Sequence, residues 1–410
     1  MKILHTSDWH IGQRLYGNDR HDEHRMFFDW LLQFIRQEQV EALLVCGDIF
    51  DMAYPSNQAL RSYYQLLREI SETSCRQVII TGGNHDSVGT LEAPREVLQV
   101  LNVTIIAGAP ANQQDEIIEL RDKSGNLQAV VGAVPFLRDR DIRIPVAGES
   151  HDEKVESVRQ GILNHYHQLA ELMLPYREQN IPQIVTGHLY MQGSQLSESE
   201  RDLQLGNQAG VSAAAFPPTF DYYALGHIHR PQTISKSPVV EYCGSPLPLS
   251  FSEQHDTKLM RLLTVENGKL SHQKITIPLF REIKTIRGSF AEISRQISDY
   301  ECASALPAWL EVCIEGQNRD PILLRAADDF VEQINTEKEN LHIIRHTITF
   351  TDRTLPAYLT GDDQRTLDEL RETEVFDQLL DQQGIEDREE LKHTFDELLG
   401  MVYQSDSGSE

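Results

Sequence analysis

The sequence lacks the features of a membrane-spanning chain and of a disulfide-bonded secreted protein. No apolar run approaches the roughly 18 residues that a bilayer span requires. The five cysteines are odd in number, scattered and without C-x-x-C spacing, which indicates reduced, buried side chains rather than a disulfide framework or a zinc site. A cleaved signal of about 15–30 residues is not expected, because its removal would delete the polar motif that begins at Asp8. We therefore expect a cytoplasmic protein with no membrane span.

Basic residues are also scarce, since 37 Lys and Arg stand against 63 Asp and Glu and the formal net charge is −26. Proteins that bind nucleic acid unaided usually carry a basic face, because neutralisation of phosphates dominates their affinity. Residues 361–410 alone contain 16 acids and 4 Lys or Arg. Composition thus argues against unaided DNA binding, and any contact with a polyanion must depend on metal ions, local arginines or a partner.

The pattern along the chain predicts an α/β core in the first 275 residues. Short apolar runs at residues 42–46 and 78–80 indicate buried strands, and Phe27, Leu31 and Ile35 share one face of a helix between strands. Alternating strands and helices favour parallel pairing, although strands follow strands directly in places, which predicts mixed sheets.

Two further units are predicted after the core. Residues 276–350 favour a small α+β domain, with a helix that begins at Asp320 and Pro321. Residues 351–410 favour an acidic helical tail with a narrow apolar stripe and a disordered end at residues 405–410.

Five polar motifs follow the predicted strands. They are Asp8-Trp9-His10, Gly47-Asp48-Ile49-Phe50-Asp51, Gly83-Asn84-His85-Asp86, Gly187-His188 and Gly226-His227-Ile228-His229. Open α/β sheets bind their ligands at the carboxyl ends of strands. Residues two apart, such as Asp8 and His10, point the same way along an extended chain, and the glycines permit sharp turns and close backbone approach.

The chemistry of these motifs is typical of a site for two divalent cations. Carboxylate oxygen, amide oxygen and imidazole nitrogen together suit six-coordinate Mn²⁺ or a similar ion better than a structural zinc. Two ions about 3.5–4 Å apart can clamp the attacking and leaving oxygens of a phosphoryl displacement. Any one motif could be an ordinary turn, because Asn and Asp favour turns. All five in this order favour a phosphoesterase.

The order D-x-H, G-D-x-x-D, G-N-H-D, G-H and G-H-x-H resembles that of the calcineurin-like metallophosphoesterases over residues 1–275. Residues 134–138, 242–246 and 248–251 are similar to the SbcD family of nuclease subunits, and the accessory unit and tail extend the similarity. This resemblance implies a four-layer α/β/β/α sandwich, a capping domain over residues 276–350 and a tail over residues 351–410 that docks on a coiled-coil ATPase subunit of the SbcC type.

The same resemblance implies an activity. Members of the family cleave DNA with Mn²⁺, both as 3′-to-5′ exonucleases on double strands and as endonucleases on single strands and hairpins. It further implies a role in DNA repair, recombination and replication. The nuclease subunit would form a homodimer within a heterotetramer, in a cytoplasmic location associated with the nucleoid.

The resemblance also implies a role for each site residue. One ion would be held by Asp8, His10, Asp48 and His229, and the other by Asp48, Asn84, His188 and His227, with Asp48 bridging. His85 would contact the scissile phosphate and protonate the departing 3′ oxygen, with Asp86 orienting it. The candidate DNA contacts are Arg138, Arg140, Arg230 and Ser245. Asp51 departs from the family, since repair nucleases often carry histidine there.

Other histidines receive an ordinary interpretation. His5 has the opposite strand parity to Asp8, so we expect it to point away from the metals. His24 is expected at an exposed helix start, although an approach to the site is possible from the first loop. His165 and His167 lie two apart on a predicted helix and are expected on different faces.

Two other functions stay open on the sequence alone. The same cage could serve a small-molecule phosphodiesterase or a phosphoprotein phosphatase, although Met52 and Ala53 follow Asp51 where the resemblance implies Arg-Gly for protein phosphatases. Alternatively, the chain could be a scaffold for an ATPase with a vestigial metal site, although no ligand is missing.

Overall fold

The computed structural model describes residues 1–143, 148–200, 210–316 and 321–350, and a few positions between 373 and 399. Its strands form two six-stranded sheets, one three-stranded sheet and one short hairpin. In spatial order the first sheet contains β14 (Lys269–Thr276), β13 (Leu259–Glu266), β1 (Lys2–Thr6), β4 (Ala42–Cys46), β5 (Gln77–Thr81) and β6 (Val103–Ile106). The second contains β11 (Gln232–Lys236), β12 (Val239–Tyr242), β10 (Tyr222–Gly226), β9 (Gln183–His188), β8 (Leu127–Gly132) and β7 (Ile117–Arg121).

The helices and smaller strands connect and flank these sheets. The helices are α1 (His21–Glu38), α2 (Asn57–Ser71), α3 (Val88–Glu92), α4 (Arg95–Gln99), α5 (Asp139–Ile142), α6 (His151–Glu178), α7 (Phe290–Ser298) and α8 (Pro321–Glu337). The third sheet contains β15 (Arg281–Gly288), β16 (Leu306–Gly316) and β17 (Leu341–Phe350), and the hairpin pairs β2 (Arg14–Leu15) with β3 (Asn18–Asp19).

Side-chain alternation along the strands produces the four layers. In β4, Leu43 and Val45 pack in the cluster that contains the apolar face of α1, whereas Leu44 and Cys46 pack between the two sheets. Such alternation follows from the two-residue period of a strand. The second sheet repeats the pattern, because Tyr222 and Ala224 of β10 face the first sheet while neighbouring side chains face α6. The predicted α/β/β/α sandwich is therefore confirmed.

Parallel strands in both sheets end at the edge that carries the five motifs. Strands β1, β4, β5 and β6 are parallel, and so are β8, β9, β10 and β12. Strands β7, β11, β13 and β14 pair antiparallel to their neighbours, so both sheets are mixed, as predicted. The first sheet supplies the loops with Asp8, Asp48 and Asn84, and the second supplies His188 and His227.

The third sheet contacts the core through an apolar cluster and a charged cluster. Leu15 and Phe251 of the core pack with Ile283 and Trp309 of the third sheet. The buried carboxylate of Glu23 on α1 accepts hydrogen bonds from Arg20 and, at 2.9 Å, from Arg281 Nε on β15. The Arg281 guanidinium also lies over the Trp309 ring, 4.1 Å from its centroid.

The chain divides into two compact units, one of residues 1–314 with 325–347 and one of residues 315–324 with 348–410. In the second unit, Phe376 and Phe395 stack with 4.0 Å between ring centroids, and Leu380 is buried. Asp320 and residues 405–410 lie outside the described residues, as does most of the tail. Division of the chain after residues 275 and 350 stays a prediction. Among the described residues, no helix has the length and apolar character for crossing a membrane.

Candidate metal centre

The five motifs converge on two groups of potential ligands that share one carboxylate. Asp8, His10, Asp48 and His229 form the first group, and ligand atoms from all four lie within 4.8 Å of one another. Asp48, His188 and His227 form the second group by the same measure. All six side chains are buried, which protects the cluster from bulk water. Asp48 is therefore placed where a bridging ligand between two cations would lie.

The contacts of Asp48 reach both groups. Its Oδ2 lies 3.2 Å from His188 Nε2 and 3.6 Å from His10 Nε2. Its Oδ1 accepts a hydrogen bond from the backbone N–H of His85 at 3.0 Å. One carboxylate thus faces a histidine from each sheet while a backbone amide fixes its rotation.

Asn84 completes the second group with an amide oxygen. Its Oδ1 lies 2.9 Å from His188 Nε2 and 3.0 Å from His227 Nδ1. His188 Nδ1 lies 3.0 Å from the Cys46 carbonyl oxygen, which can only accept, so this nitrogen carries the proton when the ring is neutral. The lone pair of neutral His188 is then on Nε2, which faces Asp48 and Asn84. This orientation is the one that metal binding requires.

Two glycines allow the loops to approach this closely. A Cβ on Gly83 would lie 2.1 Å from Asp48 Oδ1, and a Cβ on Gly226 would lie 1.9 Å from the Cys46 carbonyl oxygen. Gly226 therefore lets the edges of the two sheets meet, and Gly83 makes room for the shared carboxylate.

Four of the candidate ligands have left-handed backbone conformations. The φ angles are 52° at Asp8, 45° at His10, 50° at Asp48 and 96° at His227. A non-glycine residue with positive φ costs on the order of 1–3 kcal/mol, and it persists only where its surroundings hold the backbone in place. Backbone hydrogen bonds impose it here, since the Asp8 and His10 amides donate to the carbonyl oxygens of Gly47 and Asp48, each at 3.0 Å.

The electrostatics of the metal-free cluster are those of a cation site. Burial alone would lower the pKa of His10 and His188, but nearby carboxylates outweigh it and raise both pKa values to about 9. The carboxylates are those of Asp51, Asp48 and Asp8 for His10, and those of Asp48 and Asp8 for His188. Without metal, the protonated rings therefore supply the positive charge that balances the carboxylates. Burial together with the charge of His188 lowers the pKa of His227 to about 3.

Unpartnered ring nitrogens are consistent with a divalent-metal site among the residues present. Nε2 of His10 and Nε2 of His227 are buried and have no hydrogen-bond partner in the described part of the chain. Buried polar atoms normally have partners, so the unpartnered Nε2 of His10, which lies 3.6 Å from Asp48 Oδ2, fits a cation bound between the two side chains. The combination of carboxylate, amide and imidazole donors suits a divalent metal.

His85 lies at the solvent side of the cluster. Its ring is exposed and meets the His10 ring edge-on, with 4.9 Å between centroids. His85 Nδ1 lies 2.8 Å from the Asp51 carbonyl oxygen, which leaves Nε2 facing outward. The expected contact between Asp86 and the His85 ring is not what the structure shows. Asp86 instead accepts hydrogen bonds from the backbone N–H groups of Ile49, Phe50 and Gly83, because the turn directs its carboxylate inward.

The four predicted DNA contacts differ in accessibility. Arg140 is exposed, and Arg138 Nη2 donates to the Asp86 carbonyl oxygen at 3.2 Å, which places it next to the cluster. Arg230 Nε lies 3.1 Å from Asp256, so its charge is already paired. Ser245 is fully buried and its hydroxyl donates to the Leu247 carbonyl oxygen at 2.8 Å. A direct contact between Ser245 and DNA is therefore wrong for this conformation.

The remaining histidine predictions have mixed outcomes. His5 points between the sheets, where its Nδ1 lies 3.1 Å from the Tyr222 hydroxyl, as expected from its strand parity. His24 was expected to be exposed, and this is wrong. It is buried, with Nε2 2.8 Å from the Trp9 carbonyl oxygen, so it supports the loop between Asp8 and His10.

Several residues that support the cluster had no role assigned to them from the sequence. Asp51 Oδ1 lies 3.2 Å from His10 Nδ1, and Ser199 Oγ lies 2.6 Å from His229 Nδ1. Glu253 and Lys258 are buried behind Ser199. Asp51 could have been found from its motif, whereas the other three lie in segments with no recognisable spacing.

Comparison with known proteins agrees with this geometry. Residues 1–231 match the family model of the calcineurin-like phosphoesterases, and residues 279–384 match that of the type 5 capsule protein repressor C-terminal domain. The SbcD subunit of the nuclease SbcCD from Escherichia coli is 35% identical over 400 residues, which cover 96% of this chain and 97% of that protein. The SbcD subunits of the nuclease SbcCD from Rhodobacter capsulatus and Bacillus subtilis are 37% and 31% identical over 70% and 66% of this chain, and over 71% and 67% of their own lengths.

The sandwich and the shared-carboxylate cluster define a calcineurin-like phosphodiester hydrolase with a divalent-metal site. Within that class, similarity to the Escherichia coli protein extends over nearly the whole length of both chains. The chain belongs to the SbcD family of nuclease subunits.

Proposed function

We propose that the chain is a Mn²⁺-dependent DNA nuclease and the catalytic subunit of an ATP-dependent complex. It would act as a 3′-to-5′ exonuclease on double strands and as an endonuclease on single strands and hairpins. The observation that carries the proposal is the pair of ligand groups that share Asp48, in a chain whose relatives are named as nucleases. Those names favour DNA over a small phosphoester or a phosphoprotein as the substrate.

The two ligand groups would hold two ions. One would be bound by Asp8, His10, Asp48 and His229, and the other by Asp48, Asn84, His188 and His227. When bound, such ions neutralise charge on the scissile phosphate and lower the pKa of the attacking water. The chain's own contribution is to fix the ligands in place, because a buried cage cannot relax toward solvent.

His85 would supply a proton to the leaving 3′ oxygen. Its Nδ1 proton is held by the Asp51 carbonyl oxygen, so any proton delivered outward must come from Nε2 of the cationic ring. The ring is exposed beside His10, which places it at the face of the cluster that a bound strand would approach. A positioned acid of this kind typically contributes about 10²–10⁴-fold to the rate. Asp86 would act indirectly, by fixing the two loops that carry Asp48 and His85.

A cavity of about 420 Å³ next to Asp51 offers space for part of a strand. Arg14, His21 and Tyr54 are among the side chains that line it. Arg138 and Arg140 would contact phosphates on the other side of the cluster. Since the chain as a whole is acidic, we expect these local cations, the metal ions and a partner to supply the attraction for DNA.

The partner would be a coiled-coil ATPase of the SbcC type, bound through the helical tail. Leu391 and Leu398 in the tail are apolar and exposed, and so are available to a partner. Other apolar side chains of the tail are not, since Phe376 stacks on Phe395 and Leu380 is buried. The nuclease subunit would be a homodimer within a heterotetramer, with contacts through α2 and the segment near residues 92–101. The complex would serve DNA repair, recombination and replication in the cytoplasm, associated with the nucleoid.

A hairpin-cleavage assay tests the activity. Full-length protein, the ATPase partner and ATP should cleave a labelled DNA hairpin in Mn²⁺, and His85→Ala should lose most of this rate. His167→Ala is the matched control, because His167 is an exposed histidine on α6 whose ring nitrogen lies 3.3 Å from the Ala215 carbonyl oxygen and belongs to neither ligand group. Absence of cleavage, or equal cleavage by His85→Ala, would refute the proposal. Faster turnover of phosphopeptides or cyclic nucleotides than of DNA would favour the other phosphoesterases.

A truncation tests the docking role of the tail. Removal of the residues after Leu370 should abolish association with the ATPase while basal Mn²⁺ phosphodiesterase activity persists. A tail that instead packs on its own nuclease domain would leave association intact, and that result would overturn the docking proposal.

A further inference from the structure

His229 is supported from behind by side chains that belong to none of the five motifs, and two of them, Glu253 and Lys258, are buried. Its ring Nδ1 lies 2.6 Å from Ser199 Oγ, and Ser199 Oγ in turn donates to Glu253 Oε1 at 2.9 Å. Its carbonyl oxygen accepts a hydrogen bond from Lys258 Nζ at 3.0 Å. Both the ring and the backbone of His229 are thus attached to one connected group, which consists of Ser199, Glu253 and Lys258.

The charged members of this group are paired inside the protein. Lys258 Nζ lies 2.5 Å from Glu253 Oε2 and also donates to Ser245 Oγ at 3.0 Å, so all three of its protons have acceptors. Burial would raise the pKa of Glu253, but Lys258 outweighs it and holds the pKa below its usual range. Glu253 is therefore a carboxylate that can only accept hydrogen bonds.

The hydrogen-bond directions then determine which nitrogen of His229 carries the proton. A serine hydroxyl has one proton, and Ser199 gives that proton to the Glu253 carboxylate. Ser199 must therefore accept from His229, which makes Nδ1 the protonated nitrogen. Nε2 keeps its lone pair, and this is the arrangement that a histidine needs to bind a metal through Nε2.

We propose that Glu253 is a positioning residue that acts through Ser199 to fix His229 as the Nδ1–H tautomer, ready to bind a cation through Nε2. The arrangement resembles a carboxylate–histidine–metal triad with a hydroxyl inserted between carboxylate and ring. This inference rests on the proposed role of His229 as a ligand of the ion that Asp8, His10 and Asp48 also hold. It adds residues from two loops, which follow β9 and β12, to the determinants of metal affinity.

Nitrogen NMR of the metal-free, histidine-labelled full chain tests the tautomer directly and requires no destabilising variant. The His229 signals, assigned by their disappearance in His229→Ala, should show a protonated Nδ1 and an unprotonated Nε2 at a pH where the ring is neutral. In Glu253→Gln the new amide can donate to Ser199, whose proton is then free for His229 Nδ1. The signals should therefore shift toward the Nε2–H form. A wild-type Nε2–H tautomer would overturn the proposal.

Titration with Mn²⁺ tests the consequence for affinity. Ser199→Ala and Glu253→Gln should each weaken the binding of one of the two ions by about 10–100-fold, which is the usual effect of removing a hydrogen-bond partner of a ligand. The affinity for the other ion should not change. Ser250→Ala is the matched control, since Ser250 Oγ donates to the same Glu253 Oε1 at 3.2 Å but does not touch the His229 ring. We expect it to bind both ions as the wild type does.

The outcomes separate this inference from the proposed function. If Ser199→Ala and Ser250→Ala lower the melting temperature alike while both Mn²⁺ affinities stay unchanged, the group is merely structural and the positioning role is refuted. If His229→Ala itself still binds two Mn²⁺ ions with wild-type affinity, the ligand assignment of the proposed function fails instead.

Discussion

Glu23 offers the clearest test of how the third sheet is attached to the core. Its carboxylate is 1% exposed and lies between the guanidinium groups of Arg20, 1% exposed, and Arg281, 8% exposed. Burial would raise the pKa of Glu23, but the two arginines outweigh it and hold the pKa below its usual range. Glu23→Ala would therefore leave two buried cations without their counter-charge.

The magnitude follows from that burial. Loss of one partner from a buried ion pair costs about 3–5 kcal/mol, because the remaining charge is desolvated and unpaired. The neighbouring Asp22–Arg25 pair on the same helix is a matched control, since its side chains are 56% and 63% exposed. Asp22→Ala should cost less than about 1 kcal/mol. In thermal unfolding of a chain of 410 residues we expect a fall of about 4–6 °C for Glu23→Ala, against about 1 °C or less for Asp22→Ala.

A double variant separates charge from packing. If the cost arises from an unpaired Arg281, then Arg281→Met added to Glu23→Ala should destabilise less than the sum of the two single changes. Equal falls in melting temperature for Glu23→Ala and Asp22→Ala would refute a large cost for the buried cations. Strict additivity of the two buried changes would contradict it as well.

Three further predictions concern the metal centre. Mn²⁺ affinity should rise from about pH 6 to pH 8, by up to about tenfold per pH unit for each proton displaced. The reason is that His10 and His188 have pKa values of about 9 without metal and must lose protons to bind it. Calorimetry in buffers of different ionisation enthalpy should detect the released protons, and an affinity that does not change with pH would contradict this prediction. Gly83→Ala should weaken the binding of both ions in a Mn²⁺ titration, because its Cβ would displace Asp48. Gly89→Ala is the control and should bind Mn²⁺ normally, because the nearest neighbour of its Cβ would lie at 3.8 Å. Asn84→Ala should weaken only the binding of the ion that His188 and His227 also hold. Loss of both ions would count against two separate ligand groups.

The ligand motifs could be predicted because each lies directly after an apolar run. Strand ends are visible in sequence as a change from apolar to polar residues, and parallel strands bring such ends to one edge. Asp8, Asp48 and Asn84 could therefore be grouped without coordinates. The prediction of four layers depended on the resemblance, because the alternation of side chains within β4 alone does not indicate what covers each face of the sheet.

The supporting residues could not be predicted, because tertiary contacts select them. Ser199 and Glu253 are 54 positions apart and meet only when two irregular loops pack together. His24 is buried because the Trp9 carbonyl oxygen, 15 positions earlier, faces it across a turn. Asp86 was expected to contact the adjacent His85, but the direction of its side chain depends on backbone geometry that the residue types do not reveal.

The positive φ angles at Asp8, His10, Asp48 and His227 have a consequence for engineering. Glycine would relieve the backbone at each of these positions, so a library screened for thermal stability alone would tend to enrich glycine there and remove four candidate metal ligands. If these side chains bind metal as proposed, stability and turnover are opposing objectives at four positions of this chain. Thermostabilised variants should be designed with those four codons held constant.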